Sequence, residues 1–157
     1  MSIWWSLHLR REAASVPLAR RLLLGTMETA GVDPDISYDL SVALSEACAN
    51  AVEHAAEGEY SVTARIDGDR CRIEVADSGP GFTHGAYGAA HAIPPYGGAR
   101  RVRPLSKKDH TAEHGRGLFL IEALVDHVHF HNRPGHGAVV SFDKILKWRD
   151  DSLLKAS

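Results

Sequence analysis

The sequence predicts an α+β fold, and three observations lead to it. Two stretches of period two, residues 59–67 and 70–77, flank Gly68 and Asp69, the two-residue signature of an antiparallel hairpin. A second pair, "HVHFHN" and "AVVSFDKI", flanks the turn "RPGHG". Elsewhere apolar residues recur at steps of three and four, which is helical spacing. At 157 residues the chain fits one domain, 1–157, large enough to bury a real core.

Each element follows from its residues. In "SIWWSLHL" Ile3, Trp5, Leu7 and Leu9 alternate with Trp4, Ser6 and His8, which predicts a half-buried strand. Ser15 offers an N-cap and Pro17 a first turn for a helix that runs through "LARRLLLGTMETA" and stops at Gly31. The turn "DPD" at 33–35 starts a second helix near Asp35, and its alanine-rich part, "ALSEACANAVEHAAE", occupies 43–57. Residues 83–114 hold Gly85, Gly88, Pro94, Pro95, Gly97, Gly98 and Pro104 without sustained periodicity, as in a lid or binding loop. Helical spacing returns in "GRGLFLIEALVDHV", through Leu118, Ile121, Leu124, Val125 and Val128. The closing stretch, from about 144 to 157, reads as a short helix or a frayed tail.

Composition excludes several function classes. A formal net charge of −2 gives no global pull toward nucleic acid or anionic lipid, so a partner must be recognised locally. No apolar run approaches the roughly 20 residues of a membrane span, and "MSIWWSLHLRR" lacks a signal-peptide layout, so a cytoplasmic protein is expected. Cys48 and Cys71 form no CxxC pair, which argues against a disulfide framework or structural zinc, and Cys48 reads as packing. The basic run "ARRVRPLSKK" at 99–108 stands beside no recognised nucleic-acid motif and fits a phosphate- or protein-facing lid better. His127, His129 and His131 share one face of a strand, and H-x-H can chelate zinc. Without a carboxylate or cysteine in the motif, a solvated outer face is the preferred reading, with Val128 and Phe130 turned to the core. Trp4 and Trp5 read as edge and core packing, with a subunit contact as the other reading for outward-facing Trp4.

The chemistry is carried by three short motifs. On the alanine-rich helix Glu46, Asn50, Glu53, His54 and Glu57 fall on one stripe, because residues three and four apart stack above one another. "DSGPG" places Asp77 at a strand end, followed by Gly79 and Gly81, where backbone can turn sharply and approach a ligand. "GRG", Gly115 to Gly117, opens a helix whose first N–H groups and positive dipole end suit a phosphate. Neither a Walker P-loop nor a strand-borne GxGxxG is present, so those nucleotide folds are not supported.

In that order, E-x-x-x-N on a helix, D-x-G-x-G, a long loop and G-x-G at a helix start resemble the boxes of the GHKL, or Bergerat, ATP-binding fold. "LSEACANAVEHA", "VADSGPGF" and "GRGLFLIEALVDHV" are similar to signatures of its stand-alone anti-sigma factor serine kinases, over roughly residues 3–143. This implies an α/β sandwich in which a mixed, mostly antiparallel sheet packs on helices, with an ATP lid at about 83–114. It also implies ATP and Mg²⁺ as cofactors, homodimerisation, a sigma factor held inactive, and an antagonist protein phosphorylated on serine. By resemblance Asn50 is the Mg²⁺ ligand, Glu46 the general base and Asp77 the acceptor of the adenine amino group. Gly79 and Gly81 clear space for the base, Gly115, Arg116 and Gly117 cover the phosphates beside Leu118, and His54 supports the helix. A nucleotide-gated module that sequesters a regulator without phosphorylating anything is the competing expectation; Glu46 favours the enzyme, since ATP binding needs no base. A two-component histidine kinase domain is disfavoured, because no phospho-acceptor helix precedes these motifs.

Overall fold

The computed structural model describes residues 2–54, 58–77, 100–101, 113–133 and 137–150. In chain order these form β1 (Ser2–Arg10), α1 (Ser15–Ala30), α2 (Pro34–His54), β2 (Glu59–Asp67), β3 (Arg70–Asp77), β4 (Arg100–Arg101), α3 (Glu113–Leu124), β5 (His127–Arg133) and β6 (Gly137–Ile145). The strands join in one sheet in the order β1-β2-β3-β6-β5-β4, and every pairing among the described strands is antiparallel. The parallel component allowed by a mixed sheet is therefore absent among the described residues. β2 and β3 are joined by a hairpin, and α1 with α2 carries the chain from β1 back to antiparallel β2.

Period two decides which side of the sheet carries the core. Ala64, Ile73, Phe142 and Val128 lie in register across four strands, all buried, and Val62, Val75, Val140 and Phe130 form the next row. The three helices cover this side; α2 packs against both α1 and α3, and its Leu40, Ala43, Leu44, Ala47 and Cys48 are almost wholly buried. Alanine at three of four consecutive helical turns lets α2 approach its neighbours closely, which a larger side chain would prevent. β6 is buried on both faces, because Arg70 donates to Asp143 at 2.7 Å and Arg72 to Ser141 at 3.2 Å across the outer side.

Several local expectations need correction. Ser15 is not the cap of α1: Ala14 holds that position without a side-chain bond, and Ser15 Oγ donates to the Glu12 carbonyl and meets the Tyr60 hydroxyl. A serine already inside the first turn finds better partners in the chain before it and in β2. Gly31 does close α1, at φ 88°, where its N–H bonds the carbonyls of Met27 and Glu28. Residues 146–150 form neither a helix nor a loose tail. Trp148 bridges to Val32 and donates to Asp69 at 3.2 Å, and Arg149 donates through its backbone N–H to Gly31 and through Nη2 to Glu28, strapping the segment over the end of α1. The lid expected at 83–114 and the tail beyond 150 fall outside the described residues, except that Arg100–Arg101 pairs with β5 and α3 begins at Glu113.

Candidate functional site

The site is built around α2. Asp33 caps it: its side chain accepts the Asp35 N–H at 2.8 Å, its carbonyl accepts from Ser37, and Pro34 follows as the first helical residue. From this start the helix carries the polar stripe inward by degrees. Glu46 is half-buried, Asn50 is buried at 6% exposure, and Glu53 is exposed. The Nδ2 of Asn50 is fully buried and has no hydrogen-bond partner among the described residues. An amide N–H₂ taken from water without a partner costs on the order of 1–3 kcal/mol, so a folded chain that keeps one at this position holds it for a ligand or at a loss.

Two other features hold α2 in place. Arg11, just after β1, reaches the end of the helix, donating from Nε to Val52 O at 2.6 Å and from Nη2 to Glu53 O at 3.0 Å. Cys48 and Ser15 both meet the Tyr60 hydroxyl, linking α2, α1 and β2 through one buried oxygen. Burial pushes the Cys48 thiol up to about 12 against a smaller lowering by Tyr60, and pushes Tyr60 up to about 12 against the Ser15 bond. Cys71 rises to about 12, through burial first and the nearby Asp143 carboxylate second. Both cysteines are inert packing groups at neutral pH, as expected for Cys48.

Asp77 ends β3, half-buried, with Oδ1 accepting the Ala138 N–H of β6 at 3.4 Å. Gly79 and Gly81 lie outside the described residues. α3 starts two residues earlier than "GRG" suggests, so Gly115 and Arg116 are the third and fourth helical residues. Their N–H groups remain among the first four, which have no partner within the helix, so the anion-binding potential of this end survives the shift. Leu118 is buried at 5% exposure and packs in the core, which confines any ligand contact it makes to its backbone. The fold thus packs α2, with Glu46 and Asn50, directly against β3, which ends in Asp77, and α3, which begins near Gly115. The side chains of His54 and Arg116 and the whole of Glu57 lie outside the described set.

The histidine strand behaves differently from a chelating row. His127 Nδ1 lies 2.9 Å from Asp143 Oδ1, the oxygen that also receives Arg70, while Val128 and Phe130 face the core. No group of three His, Cys, Asp or Glu side chains with metal-binding geometry occurs among the described residues. Arg11 is the site-supporting residue that sequence reasoning missed; its target lies 41 positions away, and no local pattern announces such a bond.

A two-layer fold with an antiparallel sheet under α2, an orphaned asparagine amide on that helix and a phosphate-ready helix end defines an ATP-binding domain of the GHKL class. The chain belongs to the histidine kinase-like ATPase domain family, whose model matches residues 9–144. It is 36% identical over 136 residues to the serine-protein kinase RsbW of Bacillus licheniformis, covering 83% of this chain and 78% of the relative. With the RsbW of Bacillus subtilis it shares 35% identity over 131 residues (76% and 72%), and with that of Staphylococcus aureus 33% over 140 residues (86% and 82%). The crystal structure of the RsbU and RsbW domains of Rv1364c from Mycobacterium tuberculosis has the same fold, with a TM-score of 0.59 at 21% identity. It aligns with 90% of this chain, which spans only 32% of that longer protein.

Proposed function

We propose that the chain is an ATP-dependent serine-protein kinase that phosphorylates an antagonist protein and controls transcription by holding a sigma factor. Its relatives named as serine-protein kinases support the activity, and the anti-sigma motifs of the sequence support the partners. One observation carries the reading at the site: half-buried Glu46 stands one helical turn before buried Asn50, whose Nδ2 has no hydrogen-bond partner among the described residues. A base and a ligand-binding amide on one face are what transfer from a nucleotide to a hydroxyl requires.

Asn50 would hold Mg²⁺ through its side-chain carbonyl oxygen, a hard donor suited to that ion. When bound, the ion would supply neutralising charge to the phosphates. Glu46 accepts the proton of the serine hydroxyl as its oxygen bonds to the γ-phosphorus and the bond to ADP breaks; this contributes about 10²–10⁴ in rate. Asp77 accepts the adenine amino group, Gly79 and Gly81 leave room for the base, and Gly115, Arg116 and Gly117, beside Leu118, cover the phosphates, with the free backbone N–H groups of Gly115 and Arg116 turned to them. The single domain acts in the cytoplasm as a homodimer, with residues 83–114 as its lid. No helix among the described residues is long and apolar enough to cross a membrane.

The test is incubation with labelled ATP, Mg²⁺ and candidate antagonists, beside Glu46→Gln and Asn50→Ala. Label on a serine of one candidate, lost in both variants while Glu46→Gln still binds ATP, is the expected result. ATP binding without any transfer, or full activity in Glu46→Gln, would overturn the kinase reading.

A further inference from the structure

We propose that Lys144 is a positioning residue for the nucleotide site: one ammonium, set where α2 and α3 meet far from the chemistry, fixes how these two helices stand to each other. The proposal rests on the nucleotide reading above and concerns a residue that touches no nucleotide.

Lys144 occupies a position where the fold would accept an apolar residue. It stands two places after Phe142 on β6 and in register with Cys71 on β3, so its side chain leaves the sheet on the core side, where only 15% of it is exposed. A leucine or methionine there would extend the core without withdrawing an ammonium from water. The ammonium instead meets two partners. Nζ donates to the Leu124 carbonyl at 2.8 Å, at the last residue of α3, and lies 3.9 Å from Asp39 Oδ2 on α2. The first contact answers a carbonyl that has no acceptor role within the helix, at the negative end of its dipole.

Stability is not what these contacts chiefly supply. A long ion pair whose carboxylate is 34% exposed is screened by water and contributes little to folding. The exit of α3 is already held to β6 on either side of Lys144. There the Asp143 carbonyl accepts the Asp126 N–H at 3.0 Å, and Asp126 Oδ2 accepts the Ile145 N–H at 2.6 Å. Lys144 adds to this anchorage a link to α2.

From that link both helices lead to the candidate site. α2 advances about two turns from Asp39 to Glu46 and about three to Asn50, while α3 runs back about two and a half turns from Leu124 to Gly115. At about 1.5 Å per residue the phosphate-facing end of α3 lies roughly 14 Å from the clamp, so a tilt of about 4° displaces it by about 1 Å. A misplacement of that size costs on the order of 10²-fold in rate. A weak contact at the root of two helices thus has a large effect at their tips.

Calorimetry of ATP with Mg²⁺ on the full chain, with urea unfolding and spin-label distances on the same variants, tests this. Labels at Ala49→Cys on α2 and Leu120→Cys on α3 sit at exposed positions, and the two native cysteines are buried and stay unlabelled. Lys144→Met should unfold at a urea midpoint near that of the parent, broaden the distance distribution between the labels, and weaken ATP about 10–100-fold. Lys144→Arg, which keeps the charge and several donors, should retain the parent distribution and most of the affinity. Asp39→Asn should weaken ATP several-fold, and adding it to Lys144→Met should cost nothing more, because both break one link. Parent-like distances and affinity in Lys144→Met and Asp39→Asn overturn the clamp, as does a loss in Lys144→Arg equal to that in Lys144→Met. A parent that binds no ATP overturns the nucleotide reading, whereas the label distances judge the clamp by themselves.

Discussion

Arg11 grips the end of α2 through Val52: its Nε donates to that carbonyl at 2.6 Å while Nη2 donates to Glu53 O at 3.0 Å. These are among the last four carbonyls of the helix, which have no partner inside it and carry its negative dipole end. A guanidinium answers both needs with two bonds in one plane. Asn50 lies within the same closing turns, so if it binds the nucleotide as proposed, the bonds from Arg11 to α2 link the stability of that helix end to nucleotide affinity.

Arg11→Ala is expected to lower stability by about 1–2 kcal/mol in urea unfolding and to weaken ATP several-fold by calorimetry. Arg11→Lys should fall between, since it restores the charge but not the paired contact. Loss of stability with wholly unchanged ATP affinity would separate the helix end from the site.

Asn50 gives the opposite signature. Replacing a buried side chain whose Nδ2 has no partner among the described residues removes a desolvation cost, so Asn50→Ala should leave the nucleotide-free protein as stable as the parent or up to about 2 kcal/mol more stable. The same variant should lose Mg²⁺-dependent ATP binding. Marked destabilisation in the absence of nucleotide would show that the amide serves the core.

Legibility in the sequence followed the range of the interaction that decides each feature. Period two in residues 59–67 and 70–77, with Gly68 at φ 60° between them, is a local fact and was readable as a hairpin. So was α2, from the run of small helix formers and the Asp33–Pro34 start. Ser15 misled because the same residue type caps helices or reaches backward, and only the presence of Tyr60, 45 positions on, decides which. Arg70 and His127 could not be seen to share Asp143, since their meeting depends on β6 lying between β3 and β5. For the candidate site, spacing put Glu46 and Asn50 on one helix face and Asp77 at a strand end, their roles came from the family resemblance, and the burial of the Asn50 Nδ2 without a partner among the described residues is a product of packing.

The buried thiols and Tyr60 set an alkaline limit. Cys48 and Cys71 have folded values near 12 against an ordinary 9, and Tyr60 near 12 against 10. Below pH 9 all three are protonated in both states and add no slope. Between about 9 and 12 the unfolded chain ionises first and binds fewer protons than the fold, so stability falls as pH rises. Urea midpoints measured across this window should drop, and less steeply in a Cys48→Ala, Cys71→Ala double variant. At pH 8 neither thiol should react with a disulfide reagent until the protein is unfolded, because a value of 12 leaves only about one thiolate in 10⁴.

Asp77 tests base recognition apart from phosphate chemistry. Its carboxylate accepts a long bond, 3.4 Å, from Ala138, and asparagine has the same size and shape, so Asp77→Asn should unfold within about 1 kcal/mol of the parent. An adenine amino group offers a donor, and a carboxylate takes that donor more strongly than a neutral amide does. ATP affinity should therefore fall about 10–100-fold in Asp77→Asn, corresponding to one charged hydrogen bond. GTP presents a carbonyl where ATP presents the amino group. An ionised carboxylate repels that carbonyl, whereas an asparagine can turn its N–H₂ toward it, so the preference for ATP over GTP should narrow by a similar factor. Competition binding with both nucleotides measures the two effects together; unchanged affinity and unchanged preference would remove Asp77 from the adenine site.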